Sequence, residues 1–242
     1  MGVFYNSTIY IPHDADGGGL VNRLYRSVRN VTVKQKAATI KKYTQLSAGN
    51  LLDIGCGTGT FMYAMAQRNW KVTGVEPDGD ARDTAKALYG MEVFPPEHLF
   101  SLPPGSFNAI TLWHVLEHIH RLHEYIEQMR KLLAENGIIF IAVPNYTSWD
   151  ARKYGRYWAG YDVPRHLYHF SPQSMELLMQ KHSLQVVKQL PMWFDSFYVD
   201  ILSSKYKRGH IQYLPAGIHG LISNINALGR RKECCSLIYV IK

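Results

Sequence analysis

From position 50 onward, short apolar runs alternate with segments whose apolar residues recur every three or four positions. Asn50–Ile54, Lys71–Val75, Phe107–Trp113 and Ile138–Val143 read as strands, and Glu92–Phe94 as a shorter one closed by Pro95-Pro96. Between them, Phe61–Arg68, Ala81–Tyr89 and Leu122–Leu133 have helical spacing, the last stopping near Asn136-Gly137. Repeated strand–helix units predict an α/β fold with a parallel sheet covered on both faces. Upstream, residues 1–17 read as irregular, and Leu20–Leu46 as a helix with Leu20, Val21, Leu24, Tyr25 and Val28 on one stripe. Residues 1–46 are therefore expected to form an N-terminal helical cap on a domain spanning 47–242.

After Pro144 the rhythm changes. Residues 145–170 are rich in aromatics, Arg and His, have no clear period, and are too long for a plain connection. They are expected to form a lid on the acceptor side of a site. Ser171, an N-cap, and Pro172, at the first helical position, open a helix through Lys181. Leu184–Leu190 and Ser236–Ile241 read as strands, with a helical insertion at about 193–230 between them.

Composition narrows the class. Of 242 residues, 46% are hydrophobic and 19% charged, which supports a sizeable core and excludes wholesale disorder. The apolar run Ile138–Val143 is far too short to cross a bilayer, and Met1–Pro12 does not read as a signal peptide. Three cysteines, two of them adjacent (Cys234, Cys235), offer neither a disulfide framework nor a C-x-x-C clip, so a reduced, cytoplasmic setting is expected. The net charge of +8 is unevenly spread: residues 1–50 carry +5, 51–150 carry −5 and 151–242 carry +8. That pattern suits a cationic ligand at the centre with anionic partners or surfaces at the edges, and equally suits plain solvated faces.

The chemistry concentrates in Leu51-Leu52-Asp53-Ile54-Gly55-Cys56-Gly57-Thr58-Gly59-Thr60-Phe61, a strand running through a G-x-G-x-G turn into a helix. Glycines there let backbone approach a ligand where side chains would block it. Glu76 ends the next strand, placed as an acid that grips ribose hydroxyls. A nicotinamide fingerprint would put its third glycine at position 60, which is Thr60.

With Asp53 two residues before the first glycine and Leu112-Trp113-His114-Val115-Leu116-Glu117-His118 later, the sequence resembles the class I S-adenosylmethionine-dependent methyltransferases. It is closest to a bacterial group carrying L-W-H-V-L-E-H and D-V-P-R-H-L-x-H-F-S, and over the core motifs is similar to the ubiquinone-pathway O-methyltransferases. The resemblance implies a Rossmann-like seven-stranded, mostly parallel sheet, helices on both faces and the last strand antiparallel. It implies S-adenosyl-L-methionine as cofactor, with Asp53, Gly55, Cys56, Gly57 and Gly59 along its methionine part. Glu76 would take the ribose, Pro77 or Asp78 would flank the adenine, and Glu97 or His98 would meet the adenine amino group. Trp113 and His114 would lie under the sulfonium. Asn108 stands where the family usually has Asp.

Two further clusters compete for a role. His114-Val115-Leu116-Glu117-His118 matches the H-x-x-E-H zinc pattern, but that reading needs both histidines on one helical face and a third ligand from elsewhere. A strand entering at His114 argues against it, and no metal is expected. In Asp162-Val163-Pro164-Arg165-His166-Leu167-Tyr168-His169-Phe170, Arg165 offers a fixed cation and His166 a titratable imidazole. Arg165, Tyr161 and Trp158 are the candidate acceptor-binding residues, and His166 and His118 the candidate bases. Equally, His169 and Phe170 could serve only to fix the following helix.

Phe107–Trp113 is followed by neither Asn/Asp-Pro-Pro-Tyr, the family's pattern for adenine or amide nitrogen, nor a cysteine for cytosine-C5 chemistry. A small-molecule acceptor is expected, its oxygen the methylated atom and an anionic group the partner of Arg165. The competing reading is a binding module acting on RNA or a membrane surface through the basic flanks. No dense basic–aromatic stripe favours nucleic acid. Trp193, Phe194, Phe197 and Tyr198, near Lys205, Lys207 and Arg208, would either form an exposed patch for peripheral membrane contact or pack on the sheet.

Overall fold

In the computed structural model, which describes residues 20–210, 218–225 and 233–242, the sheet grows outward from β1 (Asn50–Ile54). From Leu51 on, every residue of β1 is buried, as an interior strand of a parallel sheet requires. β1 pairs in parallel with β2 (Lys71–Val75) and with β3 (Phe107–Trp113), and β3 pairs in parallel with β4 (Leu133–Pro144). β6 (Ser236–Ile241) lies antiparallel between β4 and β5 (Val186–Pro191), giving the order β2-β1-β3-β4-β6-β5.

The sheet has six strands where seven were expected. Glu92–Phe94 contracts to one bridge, in which Phe94 N–H donates to the Gly74 carbonyl and Glu76 N–H donates to that of Phe94. Pro95 and Pro96 follow, and with no N–H to donate they stop the ladder there.

Alternate residues of each strand feed opposite faces. On one face Leu52, Ile110, Leu112 and Ile139 pack with Ile126 and Met129 of α4 (Leu122–Leu132) and Met175 and Met179 of α6 (Pro172–Lys181). On the other, Leu51, Ala109 and Phe140 meet Phe61 and Met65 of α2 (Thr60–Ala66) and Ala37 and Ile40 of α1 (Leu20–Thr44). Ile40 is fully buried, so the second half of α1 is part of the sheet's core. The stripe positions Leu20, Val21, Leu24 and Tyr25, like residues 1–17, lie outside the described side chains.

α3 (Gly79–Tyr89) starts two residues before the expected Ala81 because the Asp78 side chain accepts from the N–H groups of Asp80 and Ala81. α6 starts as predicted, with Ser171 and Ser174 forming a reciprocal capping box. Between β4 and α6 lie α5 (Trp149–Tyr154) and two tight turns, Gly155–Tyr157 and Ala159–Tyr161. These pack around a small core of Ala151, Tyr154, Trp158 and Cys235. The insertion between β5 and β6 contains α7 (Asp195–Arg208) and a helix over 218–225. Its remaining positions, 211–217 and 226–232, lie outside the described residues.

Candidate functional site

The strand-to-helix turn after β1 is built on three glycines with positive φ: Gly55 at 70°, Gly57 at 54° and Gly59 at 77°. A Cβ on Gly55 would land 2.4 Å from a Val115 methyl carbon, so this glycine is fixed by close packing. A Cβ on Gly57 would have no heavy atom within 4 Å, so the middle of the loop faces open space. Glu76, just past β2, accepts Gly57 N–H at 2.9 Å through Oε2 and Asp78 N–H at 3.1 Å through Oε1. Burial pushes its carboxyl above the usual range. Asp53 lies beneath the loop, almost fully buried, and accepts the Thr111 hydroxyl at 2.6 Å. Burial raises its pKa to about 7, against the pull of Thr111 and Lys36. The Cys56 thiol is also pushed up by burial, so it is no thiolate at neutral pH.

The neighbouring candidates take different positions. Arg82 Nη1 donates to the carbonyls of Glu76 and Pro77 and fixes the turn after β2. Glu97 is exposed on the turn Pro96–Ser101, while His98 stacks on Phe94 with centroids 4.1 Å apart. Trp113 packs edge-on against Phe61, and Lys36 Nζ of α1 lies 4.5 Å from its ring centroid. Asn108, where the family usually has Asp, accepts the Asn50 N–H at 2.9 Å and so fixes the start of β1.

His114 leaves β3 in a left-handed conformation, φ 59°, with its N–H on the Ala142 carbonyl. Its Nε2 is 2.8 Å from Asp195 Oδ2 in the first turn of α7, and its Nδ1 is 3.5 Å from Glu117 Oε1. Burial opposes a charge on this ring, but the two carboxylates outweigh it and raise its pKa to about 10. Lys36 is pulled below its usual value by burial, with Asp195 and Asp53 opposing. Gln35, Lys36 and Thr39 of α1 line a cavity of about 370 Å³ together with Met192, Trp193 and Asp195. Neither Lys36 nor Asp195 carries a signal in the sequence. Each meets its partners only through tertiary packing, and no local spacing signals a His–Asp pair 81 positions apart.

The 145–170 segment docks on the tight turn Leu116–His118. The N–H groups of Leu167 and Tyr168 donate to the Glu117 carbonyl at 2.8 and 3.3 Å. His118 Nδ1 bonds the Arg165 carbonyl at 3.0 Å, and His166 Nδ1 that of Gly160 at 2.9 Å. The two imidazoles thus come together, centroids 4.7 Å apart, beside the buried Glu117. Burial lowers the His166 pKa and keeps that ring neutral. Arg165 is paired with Asp162 at 2.6 Å, so its charge is already partly compensated. Tyr161 packs edge-on against Trp158 and His169. Trp158, only 2% exposed, belongs to the packing behind the segment. His169 and Phe170 bond the backbone of Tyr161 and Tyr146.

Trp193, Phe194 and Phe197 are half-buried, and only Tyr198 of that group is exposed. The aromatics therefore pack inward, Trp193 against the main core, and do not form the exposed patch the sequence allowed. Among the described residues no helix is long and apolar enough to cross a membrane.

A glycine turn leaving a central parallel strand, an acid ending the next strand and one reversed strand in the sheet define a Rossmann-like nucleotide-cofactor fold. The family model described as "Methyltransferase domain" matches residues 25–189, and the chain belongs to that family. The ubiquinone biosynthesis O-methyltransferase of Glaesserella parasuis serovar 5 is 32% identical over 119 residues, 44% of this chain and 50% of that protein. That of Caulobacter sp. strain K31 is 34% identical over 104 residues, 40% of this chain and 41% of the relative. The chain thus spans half or less of the length of these relatives. Among solved structures, an S-adenosylmethionine-dependent methyltransferase from Archaeoglobus fulgidus superposes with a TM-score of 0.57 at 20% identity, covering 86% of this chain and 93% of that one. Phosphoethanolamine N-methyltransferase 2 of Haemonchus contortus, a complex with S-adenosyl-L-methionine, gives 0.60 at 14% identity, covering 86% and 51%. These two establish likeness of fold.

Proposed function

We propose that this chain is an S-adenosylmethionine-dependent methyltransferase acting on an oxygen of a small-molecule acceptor. The observation that carries the reading is the glycine loop itself, three positive-φ glycines with open space at Gly57, whose N–H donates to Glu76 at the end of the next strand. A sulfonium cofactor supplies an electrophilic methyl group that leaves by in-line displacement, so the protein's task is chiefly alignment.

The backbone of Gly55, Cys56, Gly57 and Gly59 would line the amino-acid part of the cofactor, with Asp53 holding the loop from below. Glu76 would exchange its backbone partners for two ribose hydroxyls. Pro77 and Glu97 would border the adenine, and Trp113 and His114 the sulfur. On the acceptor side, Arg165 and Tyr161 would bind the substrate, an anionic group displacing Asp162 from Arg165, with Trp158 as backing. His166, with His118 beside it, would take up the acceptor's proton. Its Nδ1–H is held by the Gly160 carbonyl, so the lone pair sits on Nε2, which stands 3.9 Å from Asp162 Oδ2. The names of the curated relatives support oxygen as the acceptor atom.

Titration calorimetry tests the reading. Both S-adenosylmethionine and its demethylated product should bind, and Glu76→Ala should weaken both by about 1–3 kcal/mol through loss of charge-assisted bonds. Tight binding of a nicotinamide dinucleotide, with neither sulfur compound bound, would overturn it.

A further inference from the structure

Glu117 is a buried acid beside the site, and the charged His114 ring that faces it is shared with Asp195. Its side chain is 1% exposed, Oε1 faces His114 Nδ1 at 3.5 Å, and Oε2 has no hydrogen-bond partner. A carboxylate removed from water at such a place is costly unless something cationic completes it. Beside it are His118 and His166, and one ligand atom from each of the three residues lies within 4.8 Å of the others.

We propose that Glu117, His118 and His166 form a binding site for a single divalent transition-metal ion of the zinc type. Three features carry the assignment. First, a carbonyl oxygen can only accept, so the bonds to the Arg165 and Gly160 carbonyls fix a proton on Nδ1 of each ring, and Nε2 is the nitrogen left to offer a lone pair to a metal. Holding the far nitrogen of a histidine on a backbone carbonyl is how metal-ligating imidazoles are oriented. Second, the ligands come from two segments fixed against each other by backbone bonds, from Leu167 and Tyr168 to the Glu117 carbonyl. The set is therefore a property of the fold and not of mobile side chains. Third, two imidazoles and one carboxylate suit zinc and its neighbours, whereas magnesium and calcium demand all-oxygen shells.

A tetrahedral site with bonds of about 2.1 Å brings ligand atoms to about 3.4 Å of each other, so the ion would draw these three together by about 1 Å. A fourth position stays open for water or an oxygen ligand. The H-x-x-E-H pattern pointed to a different set. His114 lies at a strand end and is engaged by Asp195, and the third ligand comes from the segment after β4. Ligation and proton uptake use the same nitrogens of His118 and His166. An ion would therefore replace the base role proposed above, while the binding claim itself does not depend on the methyltransferase reading.

The test starts from full-length protein stripped with chelator and desalted, then supplied with Zn²⁺ or Co²⁺. One equivalent should remain after a second desalting, and the Co²⁺ form should show the intense visible absorption of a four-coordinate centre. Glu117→Gln, His118→Ala and His166→Ala should each weaken binding at least tenfold, while His114→Ala should retain it. Near-UV circular dichroism and calorimetry with the demethylated cofactor report whether each variant is folded, and the near-isosteric Glu117→Gln decides should an alanine variant unfold. Failure of the wild type to retain an ion would overturn the proposal. So would binding that needs His114 but not His166. Binding lost in His123→Ala, and kept in His166→Ala, would mean an adventitious ion at the partly buried pair His123–His182, whose ring nitrogens are 2.8 Å apart. If the metal binds as expected but neither sulfur compound does, the methyltransferase reading fails and the metal site stands.

Discussion

Glu76 stands at the end of β2 with both oxygens committed to backbone N–H groups, one of them in the glycine loop it faces. Under the reading proposed above, a ligand diol would replace those donors without asking the side chain to move. Residues of this kind are legible in sequence because their spacing from the loop is fixed by one helix and one strand. The same holds for Gly55. Gly55→Ala would force a Cβ to within 2.4 Å of Val115 at a φ of 70°, so we expect a loss of about 1–3 kcal/mol in urea unfolding. It should also reduce cofactor affinity, measured by calorimetry on the folded fraction. Unchanged stability would mean that Val115 yields at no cost. The partnership of His114 with Asp195 was not legible, because its two halves come from a strand end and an insertion that only the finished fold brings together.

Helices and strands were read from two signals of unequal strength. β6 and the start of α6 fall where periodicity and capping put them, because Ser171-Pro172 and the five-residue apolar run Leu237–Ile241 leave few alternatives. Glu92–Phe94 forms a single bridge in place of the strand its sequence predicts, since three residues before two prolines leave no room for a ladder. Helix α1 packs its second half on the sheet, with Ile40 as buried as any strand residue, and Ile40→Ala should cost about 2–5 kcal/mol by chemical denaturation.

The polar face of α7 gives a pH prediction. Asp200 is fully buried near Asp150 of α5, which accepts the Ser223 hydroxyl at 2.6 Å. Burial, and then Asp150, push the Asp200 carboxyl up to about 8, with Lys153 pulling the other way. Between the ordinary carboxylate value near 4 and about 8, the folded chain holds a proton that the unfolded chain has released. Stability from this group is therefore greatest in acid and falls as pH rises through that window. Asp200→Asn should flatten the dependence, so the loss of urea midpoint between pH 5 and 7.5 should be smaller than in the wild type. Equal losses would place the slope elsewhere.

Across the whole molecule, three parts distant in sequence converge on one group of charges. Lys36 comes from α1, Asp53 from β1 just before the glycine loop and Asp195 from α7, and the Lys36 ammonium is attracted to both carboxylates. Asp195 also holds His114, whose ring is charged at neutral pH. A ligand against the glycine loop and Trp113 would thus perturb charges that tie α1 and α7 to the sheet. Occupation of the loop should therefore be felt at the two outer helices as well as locally. Hydrogen exchange with the demethylated cofactor should show slower exchange not only in residues 55–60 but also in α1 around Lys36 and in the first turns of α7. Lys36→Met keeps most of the packing over Trp113 but removes the cation that Asp53 and Asp195 share. In that variant the loop should still be protected on binding while the protection in α7 is reduced. Protection confined to the loop in the wild type would show that the charge cluster holds the helices in place without relaying occupancy.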